Sequence, residues 1–280
     1  MPSDVRAAFI IIFLSFCRFD VAAQTTERTR PFGVAYYDVE ALYDTLPSKF
    51  YDDSAYTPQG RMRWDTRRYR RKIENVARVV DSMGMDVVAL YGVENERVAR
   101  DIAEACDGDY AYIHRTTDSG DGLDFALLYL GDSFFPRRVT PWRGALCVEG
   151  ETRGRTLAVV IDRRSTSLGV LIAEKELRRN NNIIILGSHS KLNFDEYGLT
   201  DMTSGAERAG RGNRFRRERW EMRDRIFADL ADSVRCDVYI RSWMLMPDGR
   251  PRPTFDGAKY CGGFASSLPV FIYFDETVGY

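Results

Sequence analysis

The chain has 280 residues, 44% of them hydrophobic, enough for one large α/β domain or two small ones, and a disordered chain is excluded. Forty basic against 41 acidic residues leave a formal net charge of -1, so no global field draws the protein to nucleic acid or anionic lipid and any such binding is local. Two histidines, His114 and His189, exclude a His-rich metal site.

Arg6 precedes an apolar run from Ala7 to Phe16, followed by Val21-Ala22-Ala23 with the small residues that a signal peptidase reads. Residues 1–23 are therefore expected to be a secretory signal cleaved near Ala23, and residues 24–31 a flexible tail. The run is short for a membrane span, and no other stretch could cross a bilayer. The expected location is periplasmic, outer-envelope or secreted. Bulky Phe16 before Cys17 argues against a lipoprotein anchor. Cys106, Cys147, Cys236 and Cys261 remain; two disulfides or buried thiols are both open, and no Cys-x-x-Cys pair points to zinc or thiol chemistry.

Phe32 to Tyr37 reads as a first strand running into Asp38-Val39-Glu40-Ala41-Leu42-Tyr43-Asp44. Ile73, Val76, Ala77, Val80 and Met83 recur at helical spacing, which predicts a helix over 66–83 ended by Gly84. Asp86 to Tyr91 predicts a buried strand and Glu94 to Ala105 a second helix. Short strands follow at Tyr110–His114, Asp124–Tyr129, Ala145–Val148 and Thr156–Ile161, their spacing suggesting antiparallel neighbours. A helix over about 167–179 and a strand at Asn182–Gly187 precede a long polar loop, 188–219. Trp220–Asp229 is open between helix and strand; Cys236–Ile240 and Val270–Phe274 complete the sheet. One domain over 32–280 is the economical reading, in the α/β layered class.

The order of these segments resembles the endonuclease/exonuclease/phosphatase family, most closely its exported bacterial members. The likeness rests on Asp38 to Asp44, on Tyr56-Thr57-Pro58-Gln59-Gly60 to Trp64 with Arg68-Tyr69, and on Gly122-Leu123-Asp124-Phe125-Ala126-Leu127-Leu128-Tyr129. It continues in Pro253-Thr254-Phe255 and Lys259 to Phe264. It implies the deoxyribonuclease-I-like fold, an α/β/β/α sandwich of two packed mixed or antiparallel sheets. It also implies phosphoester hydrolysis with Mg²⁺ on oxygen ligands, a His–Asp pair and asparagines around the phosphate.

The motifs implied to carry that chemistry are altered. Asp38 stands for the first asparagine, and Leu90-Tyr91-Gly92-Val93 replaces Leu-x-Glu-Val, so Gly92 brings no metal carboxylate. Ile161-Asp162-Arg163 replaces Asn-His-Trp. Gly187-Ser188-His189-Ser190-Lys191 replaces Gly-Asp-Phe-Asn-Asp, and Ser266-Ser267 the Asp-His of the closing Ser-Asp-His-Leu-Pro. Glu40, Asp124 and Asp224 remain as family-like acids. Loss of the base alone costs several powers of ten in such enzymes. The sequence thus predicts an exported pseudoenzyme without metal or cofactor, acting as a binding protein for a phosphate-bearing or other anionic ligand or an envelope protein. The alternative is an active Mg²⁺-dependent nuclease or phosphodiesterase with a remodelled site.

Ser188 and His189 are neighbours on a strand end, where alternate side chains diverge, so they do not make a serine hydrolase; His114 is expected to be structural. The stretch with Arg208, Arg211, Arg214, Arg216, Arg217, Arg219 and Trp220 suits phosphate or single-stranded nucleic acid, but its interleaved acids favour a solvated, internally paired face.

Overall fold

The computed structural model describes residues 30–275 except 118, 143, 164–171, 173–176, 178–180, 190–192 and 231–233, and only the backbone of Ser188. The expected signal and nearly all of the tail lie outside the described residues. So do Ser190 and, apart from the buried helical residues Ile172 and Leu177, the helix expected over 167–179. Among the described residues no helix is long and apolar enough to cross a membrane.

In chain order the elements are β1 (Phe32–Leu42), α1 (Thr66–Met83), β2 (Val87–Val93), α2 (Glu96–Ala105), β3 (Tyr110–Arg115), β4 (Asp124–Leu130), β5 (Phe135–Trp142), β6 (Ala145–Glu151), β7 (Thr156–Asp162) and β8 (Asn182–Ser188). They continue with β9 (Thr200–Asp201), the one-turn helix α3 (Ser204–Arg208), β10 (Arg214–Arg216), β11 (Arg219–Glu221), β12 (Arg225–Ala228), β13 (Val234–Val238), β14 (Phe255–Asp256), β15 (Lys259–Tyr260) and β16 (Val270–Phe274). Two six-stranded sheets result, ordered β13-β16-β1-β2-β4-β3 and β5-β6-β7-β8-β12-β9. The pairs β1–β2 and β7–β8 are parallel and the other neighbours in these sheets antiparallel.

The sheets pack face to face because alternate residues of their central strands are apolar on the shared side: Val34 and Tyr36 on β1 meet Val159 and Ile161 on β7, Ile184 and Leu186 on β8, and Ile226 and Ala228 on β12 in one core. The sheets approach closely at Gly187, whose φ of 75° suits glycine and where a Cβ would lie 2.2 Å from the Tyr36 ring. The outer face of the first sheet is covered by α1 and α2, capped by Asp65 and Asn95, whose side chains accept from the N–H groups of Arg68 and Val98. A second apolar cluster on the outer face of the other sheet joins Ala158, Val160, Ile183 and Ile185 to Ile172, Leu177 and Phe194.

The structure adds one strand, corrects one expected loop and resolves one open stretch. Phe135–Trp142 is a strand despite Pro136 and Pro141, because it is an edge strand whose outer side has no ladder to supply. The 188–219 stretch is not one loop: it contains β9, α3 and the β10–β11 hairpin, units too short to register as periodicity. The last residues of 220–229 resolve as strand, β12 bonding to both β8 and β9. None of the four cysteines described is in a disulfide, and burial pushes the Cys106 and Cys236 thiols up to about 12.

Candidate functional site

Alternation along the strands aims three side chains into the mouth between the sheets. Asp38 lies two residues past Tyr36, Arg163 two past Ile161, and Asp224 two before Ile226, and those three apolar residues all point into the shared core. Arg163 Nη1 donates to Asp38 Oδ2 at 2.7 Å and lies 3.9 Å from Asp224 Oδ1. Its guanidinium stacks over Tyr91, 4.1 Å from the ring centroid. Arg223 Nη1 approaches the same Asp38 oxygen at 3.6 Å.

Asp224 has no solvent exposure, and its two oxygens are taken from different elements. Oδ1 is 2.7 Å from His189 Nε2, and Oδ2 accepts from Asn213 Nδ2 at 2.6 Å. Asn213 Oδ1 in turn accepts from the backbone N–H groups of Arg223 and Asp224, so one buried amide sets the start of β12. When the carboxylate is ionised it can only accept, and His189 Nε2 is then the donor in this contact.

Burial pushes the Asp38 carboxyl above its usual range, against the pull of Arg163 and with a further push from Asp224. Burial also opposes the Arg163 cation, but Asp38, Tyr36 and Asp224 outweigh it and hold the guanidinium pKa above its ordinary value. The Tyr36 phenol, 3.5 Å from Arg163 Nη1, is raised by burial and by the two aspartates and stays neutral.

The other family-like acids have different work. Glu40, at a φ of 66°, accepts from the backbone N–H of Ser266 at 2.8 Å and of Thr254 at 3.3 Å, and lies 4.0 Å from Lys72 Nζ. Lys72 is buried on α1 and also donates to Thr254 Oγ1 at 2.6 Å and to the Phe264 carbonyl. Glu40 and Lys72 therefore clamp the closing segment to the helix. Asp124 Oδ1 accepts from the N–H and hydroxyl of Thr117 at 2.8 and 2.6 Å and, with Asp44, Tyr51 and Glu94, borders a cavity of about 670 Å³ beside the ends of β2 and β4.

Of the altered positions, Gly92 is the most informative. Its φ is 91°, in a bulge between β1 and β2, and a Cβ there would lie 1.8 Å from the Glu40 carbonyl oxygen. A carboxylate at this position is sterically excluded while Glu40 keeps its backbone conformation. Asp162 is wholly buried and, by alternation with Ile161 and Arg163, sits on the opposite face from the mouth. Ser267 is 1% exposed, with a hydroxyl that has no hydrogen-bond partner among the described residues; its backbone bridges to Arg214. Ser266 meets Glu40 through its backbone, and Ser188 pairs with Arg225 in the β8–β12 ladder.

The family's divalent ion does not fit this donor set. Gly92 offers no oxygen from its side chain, Glu40 is turned onto the closing segment, and the Asp38 and Asp224 oxygens that converge do so on a guanidinium. Among the described residues no cluster of three acidic, histidine or cysteine side chains could hold a metal ion.

The arginines of the 208–219 stretch do not form one patch. Arg211 pairs with Asp237 at 2.7 Å and Arg219 with Glu221 at 3.0 Å, while Arg208 sits on α3. Arg214 and Arg216 share one face of the β10–β11 hairpin, and Arg217 is at its tip. Phe215 and Trp220 meet edge to face on the other face, with ring centroids 5.6 Å apart and Trp220 against the core. Arg216 lies directly opposite Arg219, a like-charge cross-strand pair.

In the sequence His189 has only the diverging Ser188 beside it; in the fold Asp224, 35 residues away, supplies the contact. Arg223 belongs to the arginine-rich stretch, while Asn213 carries no motif signal; both flank the hairpin. His114 is a buried structural residue whose pKa burial lowers.

Residues 33–165 match the sequence profile described as the Endonuclease/Exonuclease/phosphatase family. Over residues 33–165 the chain belongs to that family. No curated protein matches it by sequence comparison. Solved structures similar to this family member include an endonuclease/exonuclease/phosphatase from Bacteroides vulgatus, at 12% identity and a TM-score of 0.58, covering 89% of this chain and 100% of that one. A mannosyl-6-phosphatase from Bacteroides thetaiotaomicron is 17% identical with a TM-score of 0.55, covering 86% and 98%. TDP2 from Caenorhabditis elegans is 14% identical with a TM-score of 0.55, covering 88% and 75%. At these identities the likeness concerns the fold, and it agrees with the two-sheet sandwich of the family.

Proposed function

We propose that this family member is an exported protein that binds a phosphate-bearing ligand without hydrolysing it. The observation that carries the reading is the Arg163 guanidinium held between Asp38 and Asp224 at the mouth of the two sheets, with Arg223 beside it. Among the described residues the guanidinium meets Asp38 and Tyr36 through Nη1, its Nε and Nη2 groups would serve an oxyanion, and arginine forks match phosphate geometry. The arginine face of the β10–β11 hairpin stands next to this mouth through the Arg214–Ser267 bridge and would extend the contact along a polyanion. The base position holds a sealed serine and the metal-carboxylate position a glycine that admits no side chain, which supports binding without turnover.

A second reading, phosphoester hydrolysis by a remodelled site, is favoured by the 2.7 Å contact of His189 with Asp224. One pair of experiments separates the two. Inorganic phosphate, mannose 6-phosphate and a short oligonucleotide are titrated calorimetrically at low and high salt, and bis(p-nitrophenyl) phosphate turnover is measured with Mg²⁺, with Mn²⁺ and with EDTA. Binding that weakens with salt, without turnover, is the expected result. Turnover that His189→Ala or Asp38→Ala abolishes would replace the binding reading by the hydrolytic one.

A further inference from the structure

We infer that Arg163 is the resident cation of this site: its guanidinium occupies the place between Asp38 and Asp224 where a divalent ion would have to sit, and the protein excludes such an ion. Three independent features converge on this. Arg163 Nη1 is within 4 Å of one oxygen of each aspartate, at 2.7 and 3.9 Å, so the two carboxylates face a common point. That point is enclosed: the Arg163 side chain is 15% exposed, the Asp38 side chain 6% and that of Asp224 0%. Tyr91 covers one face of the guanidinium and the Tyr36 hydroxyl lies at its edge, so the planar group is seated rather than draped over the surface.

The backbone reinforces the exclusion. The Glu40 carbonyl blocks any side chain at position 92, and the Glu40 carboxylate is committed to the N–H groups of Ser266 and Thr254. A metal entering the wild-type site would lie against a fixed positive charge with two aspartates already engaged. Charge balance runs the same way: two carboxylates, one seated guanidinium and a second arginine 3.6 Å from Asp38 leave little net negative charge to attract a dication.

The part of this inference that concerns the ligand rests on the binding reading above; the part that concerns the metal does not. The test therefore has separate arms. Mn²⁺ is titrated into the full chain stripped of metal, with free Mn²⁺ followed by electron paramagnetic resonance, and the melting temperature is recorded with Mn²⁺ and with EDTA. The wild type is expected to take up no stoichiometric Mn²⁺ and to melt at the same temperature in both. Arg163→Ala leaves the two aspartates facing each other, and Mn²⁺ is expected to bind it and raise its melting temperature. Arg163→Lys retains a cation and is expected to ignore Mn²⁺.

Stoichiometric Mn²⁺ uptake by the wild type, lost in Asp38→Asn, would overturn the inference whether or not the alanine variant folds. So would an alanine variant that folds and stays indifferent to Mn²⁺. In the ligand arm, phosphate affinity in EDTA should equal that in Mg²⁺ and fall at least about tenfold in Arg163→Lys, which loses the guanidinium fork. If no phosphate binds while the Mn²⁺ arm comes out as expected, the binding reading fails and the assignment of Arg163 stands.

Discussion

Single residues decide what this site can and cannot do. Gly92 reads in the sequence as a missing carboxylate, but in the structure it is a backbone requirement: the Glu40 carbonyl lies where its Cβ would be. Gly92→Ala should therefore destabilise the protein by about 3 kcal/mol or more in urea unfolding, and Gly92→Glu should not restore metal binding. Lys72 gives a second prediction. Burial lowers its pKa from 10.5 to about 8, with Glu40 and Asp38 opposing. Below pH 8 the folded protein keeps this proton at a desolvation cost. Between pH 8 and 10.5 the folded state releases it while the unfolded chain still holds it, so stability should rise, by up to about 3 kcal/mol from this group. Unfolding titrations across that window should show the rise in the wild type and not in Lys72→Met.

At the scale of elements, the β10–β11 hairpin is the strained unit beside the site. Its two-residue turn places Arg217 at a φ of 49° and Glu218 at 61°, the geometry of a type I′ turn, without the asparagine or glycine that suits it. Glu218→Gly should stabilise the protein by about 0.5–1 kcal/mol, read as a shift of the unfolding midpoint at unchanged slope. The hairpin also illustrates what was legible in the sequence. Its arginine and aromatic interleaving was visible, but which arginines meet acids depends on α3, β11 and β13 packing nearby: Arg211 is neutralised by Asp237 from β13, while Arg216 faces Arg219. The long elements were readable because their burial is periodic, as in α1 and in β16, whose bounds were met at Val270 and Phe274. The prolines of β5 hid a strand that only its position at a sheet edge permits.

For the whole molecule, buried charge shapes the dependence of stability on pH more than net charge does. Glu94, at the end of β2 and bordering the 670 Å³ cavity, has its carboxyl raised from 4.5 to about 7 by burial, against hydrogen bonds from the Asp44 N–H and the Tyr51 hydroxyl. A raised carboxyl contributes its full stability below pH 4.5 and loses it as pH climbs to about 7, the opposite limb from Lys72. Glu94→Gln should flatten that fall, about 1–2 kcal/mol once solvent screening at the cavity mouth is counted, in chemical unfolding at pH 4.5 and pH 7. With both substitutions, the difference from wild type should be smallest at the two ends of the range and largest near pH 7 to 8, apart from any offset that does not depend on pH.

By itself the sequence determined the family, the layered α/β class and most of the long strands and helices. Those follow from local periodicity and from motif order, which a linear chain displays directly. Which side chains meet at the mouth between the sheets was decided only in three dimensions. Arg163, Asp38, Asp224, Asn213 and His189 come from five separate stretches, and their contacts exist because two twisted sheets bring the ends of β1, β7, β8 and β12 to one mouth. A guanidinium seated between two aspartates is a property of that closure, since neither its distances nor its burial has any trace in the order of residues.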